Sequence, residues 1–420
     1  MGSPSDTAVK RRKVFYIPGY DPFPPRRYRE LYRKQGAAQA AISGYALSMN
    51  GGLEGDAFGW RVETMIDGHR TDAEIEVLVW SDIVQDSRVR SISLTYGYLL
   101  RTAWIYMSTG ALWRLMKLRK GPVIAALYPV AMLLGQLVVA LLAGWGVWQV
   151  VVRVPPALFH GAETTAAIDT LTTWGAIVIG AVLSLRVLHW FRDHDGRFFA
   201  YYLMHDFAHS AALYGAYPGD IASRLDDFGD TIAKALTTEV DEVLVVGHSS
   251  GAHMAVSILS DLIRAGQATD KTPALSLLSL GQVVPMVSFL PSAYKLRADL
   301  RYLSASDELT WVDVTAPGDG CSFALCDPVA VSGQTTPQKR WPLVFSAAFT
   351  QSLSPERWRA LRWRFFRLHF QYLCAFDQPK DYDYFQITAG PQTLAARYDG
   401  RPASRSRIDH TVSKYTSLRP

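Results

Sequence analysis

Between Val123 and Val152 no charged residue interrupts the chain, a run of roughly thirty positions that would extend about 45 Å as a helix. The ~30 Å hydrocarbon core of a bilayer needs less, so the run predicts a transmembrane helix. Thr170 to Leu185, with an extension to Trp190-Phe191, is a shorter apolar run flanked by Asp169 and Arg186. It reads as a second span, with a buried or interfacial helix as the alternative. Between the two, Arg153 to Thr165 carries Pro155-Pro156 and Gly161, which reads as a short turn. The pair therefore predicts a helical hairpin with both ends on one side of a membrane.

Outside this region apolar blocks of strand length alternate with longer stretches of helical character. Val14–Ile17, Trp60–Ile66 and Ile75–Trp80 read as early strands, with a helix-like stretch from Tyr28 to about Met49. Ala274–Leu280, Leu309–Thr315 and Trp341–Phe349 read as later, buried strands. Strand-length and helical stretches in succession predict an α/β fold. Its first part is expected over residues 1–80 and its second over 198–420. A membrane-associated insertion fills 81–197, with spans at about 123–152 and 168–190. Just before the first span, Tyr96 to Lys120 mixes Trp104, Tyr106, Trp113 and leucines with a basic end. That fits a helix lying in the membrane interface, or a soluble amphipathic cap. Met1 to about Arg12 and Arg401 to Pro420 read as mobile ends.

Composition adds scale. In 420 residues, 49% apolar is enough for a large core and a hairpin, and a net charge of +5 suits contact with anionic lipid. Arg114, Lys117, Arg119 and Lys120 precede the first span and Arg186, Arg192 and Arg197 close the second, whereas Arg153 alone lies in the turn. By the positive-inside rule the non-membrane part lies in the cytoplasm, if the membrane is a bacterial inner membrane. The polar, basic start, Lys10-Arg11-Arg12-Lys13, lacks the apolar core of a cleavable signal. Basic residues gather at the membrane flanks and along Arg357–Arg367 rather than in a nucleic-acid motif, so no nucleic-acid partner is expected. Cys321, Cys326 and Cys374 are odd in number without C-x-x-C spacing and read as reduced thiols. Nothing in the sequence sets the oligomeric state.

The chemistry starts at Gly247-His248-Ser249-Ser250-Gly251, which follows the apolar run Glu242–Val246 and precedes the apolar stretch Ala252–Leu259. Strand, tight turn and helix in that order, with glycines two before and two after Ser249, form a nucleophile elbow. An ordinary glycine-rich strand-to-helix turn is the plain alternative. Here the chain resembles the α/β-hydrolase superfamily, over about Val14–Trp80 and Phe198–Gln392. The resemblance implies a mostly parallel central sheet, here interrupted by the membrane hairpin, a triad in the order serine, acid, histidine, and an oxyanion loop earlier in the chain. Pro18-Gly19-Tyr20-Asp21-Pro22, after the first strand, then supplies that loop, where many members carry His-Gly. Tyr20 is read as one N–H donor and Ser250 as the other. Asp319, in the turn Ala316-Pro317-Gly318-Asp319-Gly320 beyond a strand end, is read as the acid, with Asp307, Asp313 and Asp327 as rivals. The histidines after Ser249 are His253, His369 and His410. His253 sits one turn into the elbow helix and His410 in the polar tail, leaving His369 as base. Its alternative is a packed position in a basic and aromatic helix, Arg364–Phe370.

Serine is a poor nucleophile until a neutral imidazole takes its proton, a buried carboxylate fixes the imidazole tautomer, and two N–H groups hold the oxyanion. No cofactor is needed. The expected activity is hydrolysis of a carboxylic ester, of a lipid or an acyl carrier, through an acyl-Ser249 intermediate. An acyltransferase or thioesterase would use the same three residues, and a non-catalytic membrane scaffold is the remaining alternative. A rival constellation, His205-Asp206-Phe207-Ala208-His209, puts two imidazoles on one helical face near His189 and His194. A zinc-protease helix requires Glu where Asp206 stands, and no third ligand is evident, so no metal is expected.

Overall fold

The computed structural model describes residues 8–20, 24–53, 58–80, 82–83, 91–158, 166–269 and 272–420; side chains are not described at 154–158, 166–169 and 206. Asp21 and Pro22 of the expected turn, and Gly161 between the expected spans, lie outside these residues. The chain divides into two compact units. One comprises the described residues of Met1–Asp86, Trp104–Ala125 and His209–Pro420, the other those of Ser87–Ala103 and Ala126–Ala208.

The first unit is an α/β fold on an eight-stranded mixed sheet. Its strands are β1 (Arg11–Ile17), β2 (Ala46–Asn50), β3 (Gly59–Ile66), β4 (His69–Val77), β5 (Glu242–His248), β6 (Ala274–Leu280), β7 (Leu309–Thr315) and β8 (Leu343–Ser346). They lie in the order β2-β3-β4-β1-β5-β6-β7-β8. The β2–β3 and β3–β4 pairs are antiparallel, and every pair from β4–β1 to β7–β8 is parallel. All seven residues of β5 are buried, as a central parallel strand with both faces covered requires.

Several boundaries differ from the sequence reading. The helix after β1 spans Arg26–Ser43 and stops at Gly44, whose φ of 74° is left-handed and whose N–H bonds to the Ala40 carbonyl. The chain then turns into β2, so the helix does not reach Met49. Leu47 and Met49, at alternate positions of this edge strand, pack against the core, and a period of two over five residues is easily merged with the end of a longer helix-like stretch. The expected strand Trp341–Phe349 is shorter, with β8 at Leu343–Ser346 and a helical turn at Phe349–Ser352.

The tail is bonded into the fold instead of being frayed. The Asp327 N–H donates to the Ile408 carbonyl at 2.9 Å, the Ser413 N–H to Val331 at 2.9 Å, and the Arg297 guanidinium to Ser417 at 2.7 Å. Arg12, expected in a mobile end, is also fixed. Its Nε donates to Glu242 at 2.7 Å across the β1–β5 pair, and Nη1 donates to the Gly390 carbonyl at 2.7 Å. Glu242 in turn accepts from Ser276 Oγ at 2.6 Å and from the Leu394 N–H at 2.8 Å.

Trp104–Ala125 belong to this unit. Ile105, Tyr106, Ala111, Leu115 and Leu118 join Phe289, Leu290 and Phe323 in one apolar cluster. The short helix Ala111–Leu118 is thus packed on protein along one face, while Trp113 on the other face is 66% exposed.

The second unit holds most of two helices, Lys120–Leu158 and Ala166–Asp193, both long and apolar enough to cross a membrane. The first runs past the expected turn at Pro155-Pro156 to Leu158. Only 28% and 17% of their apolar windows are buried, unlike the core helix of a soluble domain. They meet at small residues. A Cβ added at Gly144 would lie 2.5 Å from the Gly180 carbonyl oxygen, and Ser184 Oγ donates to the Ala140 carbonyl at 2.9 Å. Such close backbone approach is how apolar helices associate where burial from water supplies no drive.

Candidate active site

β5 ends in a turn so tight that Ser249 adopts φ 57°, left-handed for a residue with a Cβ. That conformation costs on the order of 1–3 kcal/mol and persists only where the surroundings enforce it. Here the Ser249 N–H is held by the Leu280 carbonyl at 2.9 Å, and the Ser249 carbonyl accepts the Ala252 N–H at 3.2 Å as the helix Gly251–Arg264 begins. Gly251 is obligatory: a Cβ there would lie 2.2 Å from the Ile17 carbonyl oxygen and 2.7 Å from that of Pro18. The segment leaving β1 crosses directly over the elbow. A Cβ at Gly19 would stand 2.8 Å from Ser249 Cβ and 3.3 Å from its Oγ. Tyr20 follows, its half-buried ring 5.7 Å from Trp80, whose indole N–H donates to the Pro18 carbonyl at 3.0 Å. Ser250 is buried at the head of the elbow helix.

Asp319 lies in the turn after β7, its N–H on the Ala316 carbonyl at 2.9 Å. Its Oδ2 accepts from His369 Nδ1 at 2.8 Å and from the Tyr372 hydroxyl at 3.0 Å, and its Oδ1 accepts the Cys321 N–H at 2.9 Å. Burial by itself would push this carboxyl up, but the His369 ring, its hydrogen bond and the Cys321 N–H together hold it below the ordinary carboxylate range.

His369, 6% exposed, ends the helix Phe365–His369, and a 3₁₀ turn, Phe370–Leu373, follows. The helix expected over Arg364–Phe370 is thus present to within one residue at each end, with Arg364 and Phe370 as its caps. With Nδ1 bonded to the carboxylate, Nε2 is the ring nitrogen left for another partner. The imidazole packs on two neighbours of Ser249. Its centroid is 4.8 Å from that of His248, and a Cβ at Gly281, the residue after Leu280, would lie 3.0 Å from its Cε1. His248 Nε2 donates to the His369 carbonyl at 3.1 Å, and burial, followed by the nearby His369, pushes its pKa down to about 3, so it stays neutral. Among the described residues, Ser249 Oγ makes no hydrogen bond to His369.

The other candidates are engaged elsewhere. Asp307 is exposed and paired with Arg340. Asp313 is buried in β7, accepts from Ser279 Oγ at 2.6 Å, and burial pushes its pKa up to about 8. Asp327 caps the helix Pro328–Val331 and pairs with Lys339 at 2.7 Å. His253 is buried against the Tyr217 hydroxyl at 3.1 Å, with its pKa pushed down by burial to about 4, and His410 is exposed. In the rival constellation, His205 is buried with Nε2 3.2 Å from Thr95 Oγ1, and His209 Nε2 lies 3.9 Å from Asp220. Among the described residues the set whose ligand atoms approach closely enough to share an ion is Asp319, Cys321 and His369, within 4.8 Å of one another. Two of these are already joined by a hydrogen bond.

Two contributors went unremarked in the sequence. Tyr372 stands three residues after His369, a spacing that stays on one helical face and was the available signal. His248 was in view inside the elbow, but nothing local says that its ring reaches the backbone of a residue 121 positions away. Compared with protein-family models, with curated proteins and with solved structures, the chain matches none.

Proposed function

We propose that this chain is a membrane-anchored serine hydrolase of the α/β-hydrolase fold that cleaves a carboxylic ester, of a lipid or another acyl ester, through an acyl-Ser249 intermediate. The observation that carries the reading is the buried 2.8 Å bond from His369 Nδ1 to an ionised Asp319, with the ring packed on His248 beside the left-handed Ser249. A strained serine, a neutral imidazole with a free acceptor nitrogen and a carboxylate that fixes its tautomer are the parts that acyl transfer needs.

In this mechanism Ser249 Oγ attacks the ester carbonyl as His369 Nε2 takes its proton. The Tyr20 and Ser250 N–H groups hold the oxyanion, and the imidazolium then gives its proton to the leaving alcohol. Water, deprotonated by the same nitrogen, attacks the acyl-serine and releases the acid. The Ser249–His369 contact has to close to about 3 Å for this, and such contacts are often long without substrate. The two apolar helices would span the membrane as a hairpin, with the hydrolase unit on the basic, cytoplasmic side of a bacterial inner membrane. Acyl transfer to an acceptor other than water would use the same groups.

A fluorophosphonate probe tests the reading. The wild-type chain should label and Ser249→Ala should not, and esters of graded acyl length, with and without alcohol or thiol acceptors, then separate hydrolase from transferase. Equal labelling of the two proteins would place the reactive nucleophile elsewhere, and no labelling of the wild type would leave a scaffold as the reading.

A further inference from the structure

Six consecutive exposed residues, Arg362-Trp363-Arg364-Phe365-Phe366-Arg367, lead directly into buried Leu368 and His369. Trp363 is 72% exposed, and Phe365 and Phe366 are 46% and 47% exposed. Exposing three large aromatic side chains within four residues to water is unfavourable unless something covers them. Arg359 is paired with Glu356, but no ion pair joins Arg362, Arg364 or Arg367 to a carboxylate among the described residues. The strip therefore alternates unneutralised guanidinium groups with aromatic rings, the composition of a surface that sits among lipid headgroups.

Its position points the same way. A Cβ at Gly320, beside Asp319, would lie 3.1 Å from the Phe365 ring, and a Cβ at Gly121 would lie 3.2 Å from the Gly320 carbonyl oxygen. Arg119 Nε also donates to the Ala324 carbonyl at 2.9 Å. The loop bearing Asp319 is thus held between the aromatic strip and the foot of the first apolar helix. Ile124, three residues beyond Gly121 and 60% exposed, is where that apolar run first turns outward, about 4.5 Å along the helix axis. Strip, acid loop and the start of the outward-facing apolar run share one level.

We propose that Arg362–Arg367 docks on an anionic phospholipid surface, and that the ester reaching Ser249 is drawn from that surface. The docking stands on the geometry just described; the fate of the ester rests on the hydrolase reading above. Guanidinium groups bind phosphate in a bidentate fork, and each cation near an anionic leaflet raises surface affinity about fivefold.

The full chain is incorporated into nanodiscs of phosphatidylcholine, with or without phosphatidylglycerol, carrying brominated acyl chains. The emission that Trp363→Phe removes should be quenched in the anionic discs. Replacing Arg362, Arg364 and Arg367 together by Glu should abolish that quenching. The same replacement should slow hydrolysis of a disc-borne ester about tenfold or more, with hydrolysis of a short soluble ester kept within about twofold. Lysine at the three positions should restore both. Unquenched Trp363 in anionic discs, or equal quenching in the Glu variant, overturns the docking even where soluble ester is hydrolysed. Quenched Trp363 with neither ester cleaved upholds the docking and overturns the hydrolase reading.

Discussion

The Tyr372 hydroxyl and the Asp319 carboxylate are 3.0 Å apart, and the oxygen that Tyr372 reaches is the one that accepts the His369 Nδ1–H. Removing that hydroxyl takes a donor from the charged form of the acid while leaving the ring that fills the space. Tyr372→Phe should lower kcat/KM for a short ester about three- to tenfold, the worth of one hydrogen bond, with KM little changed. A loss confined to KM would place Tyr372 in substrate binding instead.

The same carboxyl sets a dependence of stability on pH. Its folded value is held below the ordinary one, so its contribution is fully present above the unfolded pKa of about 3.9 and is lost as pH falls through the lower folded value. The stability difference between wild type and Asp319→Asn should therefore be largest near neutral pH and shrink below about pH 4. Thermal unfolding in detergent across that range measures it, and a difference that grows on acidification would contradict the assignment.

The elbow and the three-residue set should act as one unit. Ser249→Ala and His369→Ala are each expected to cost about 10⁴-fold or more in turnover of a short acyl ester, and the double variant little more than either. Asp319→Asn should lose somewhat less. Gly19→Ala, whose Cβ would meet Ser249 Cβ at 2.8 Å, should lower the melting temperature and slow fluorophosphonate labelling. Retained turnover in Ser249→Ala would remove Ser249 from the mechanism.

What could be read from the sequence was whatever depends on local order. A buried β-branched run, a glycine-flanked turn and an apolar helix in succession leave Ser249 few conformations, and the length of Val123–Val152 speaks for itself. Features settled by partners distant in sequence were out of reach. The edge strand β2 is stabilised by pairing with β3 and by the packing of Leu47 and Met49, so its five residues merged with the preceding helix. The tail is mostly polar, and its order comes from backbone bonds to Leu325, Asp327 and Val331 and from Ile408 and Val412 packed on an apolar cluster, too few apolar positions to announce an element. Arg12 looked like one of four basic residues in a row, and only the β1–β5 register makes it the partner of Glu242.

That pair carries its own expectation. Both side chains are fully buried, and Glu242 is also the acceptor for Ser276 and Leu394. Breaking one side leaves an uncompensated buried charge, so Glu242→Leu should cost about 3–5 kcal/mol. Adding Arg12→Met should return only part of it, because the Ser276 hydroxyl, the Leu394 N–H and the Gly390 and Gln392 carbonyls stay unpaired. Melting temperatures of the two single variants and the double form the cycle; full recovery in the double would mean that those four groups find water.

Sidedness can be tested with few complications because the native thiols are quiet. Burial pushes the Cys326 and Cys374 thiols up to about 12 and Cys321 well above its ordinary value, so little thiolate is present to react. Arg153 and Lys10 are both exposed, and the hairpin reading puts them on opposite sides of the membrane. In intact bacterial cells Arg153→Cys should react with an impermeant maleimide and Lys10→Cys should react only after lysis. Carbonate washing should leave both variants in the membrane pellet. Labelling of Lys10→Cys alone in intact cells would invert the topology and move Ser249 outside, whereas release by carbonate would mean that the two apolar helices do not cross the bilayer.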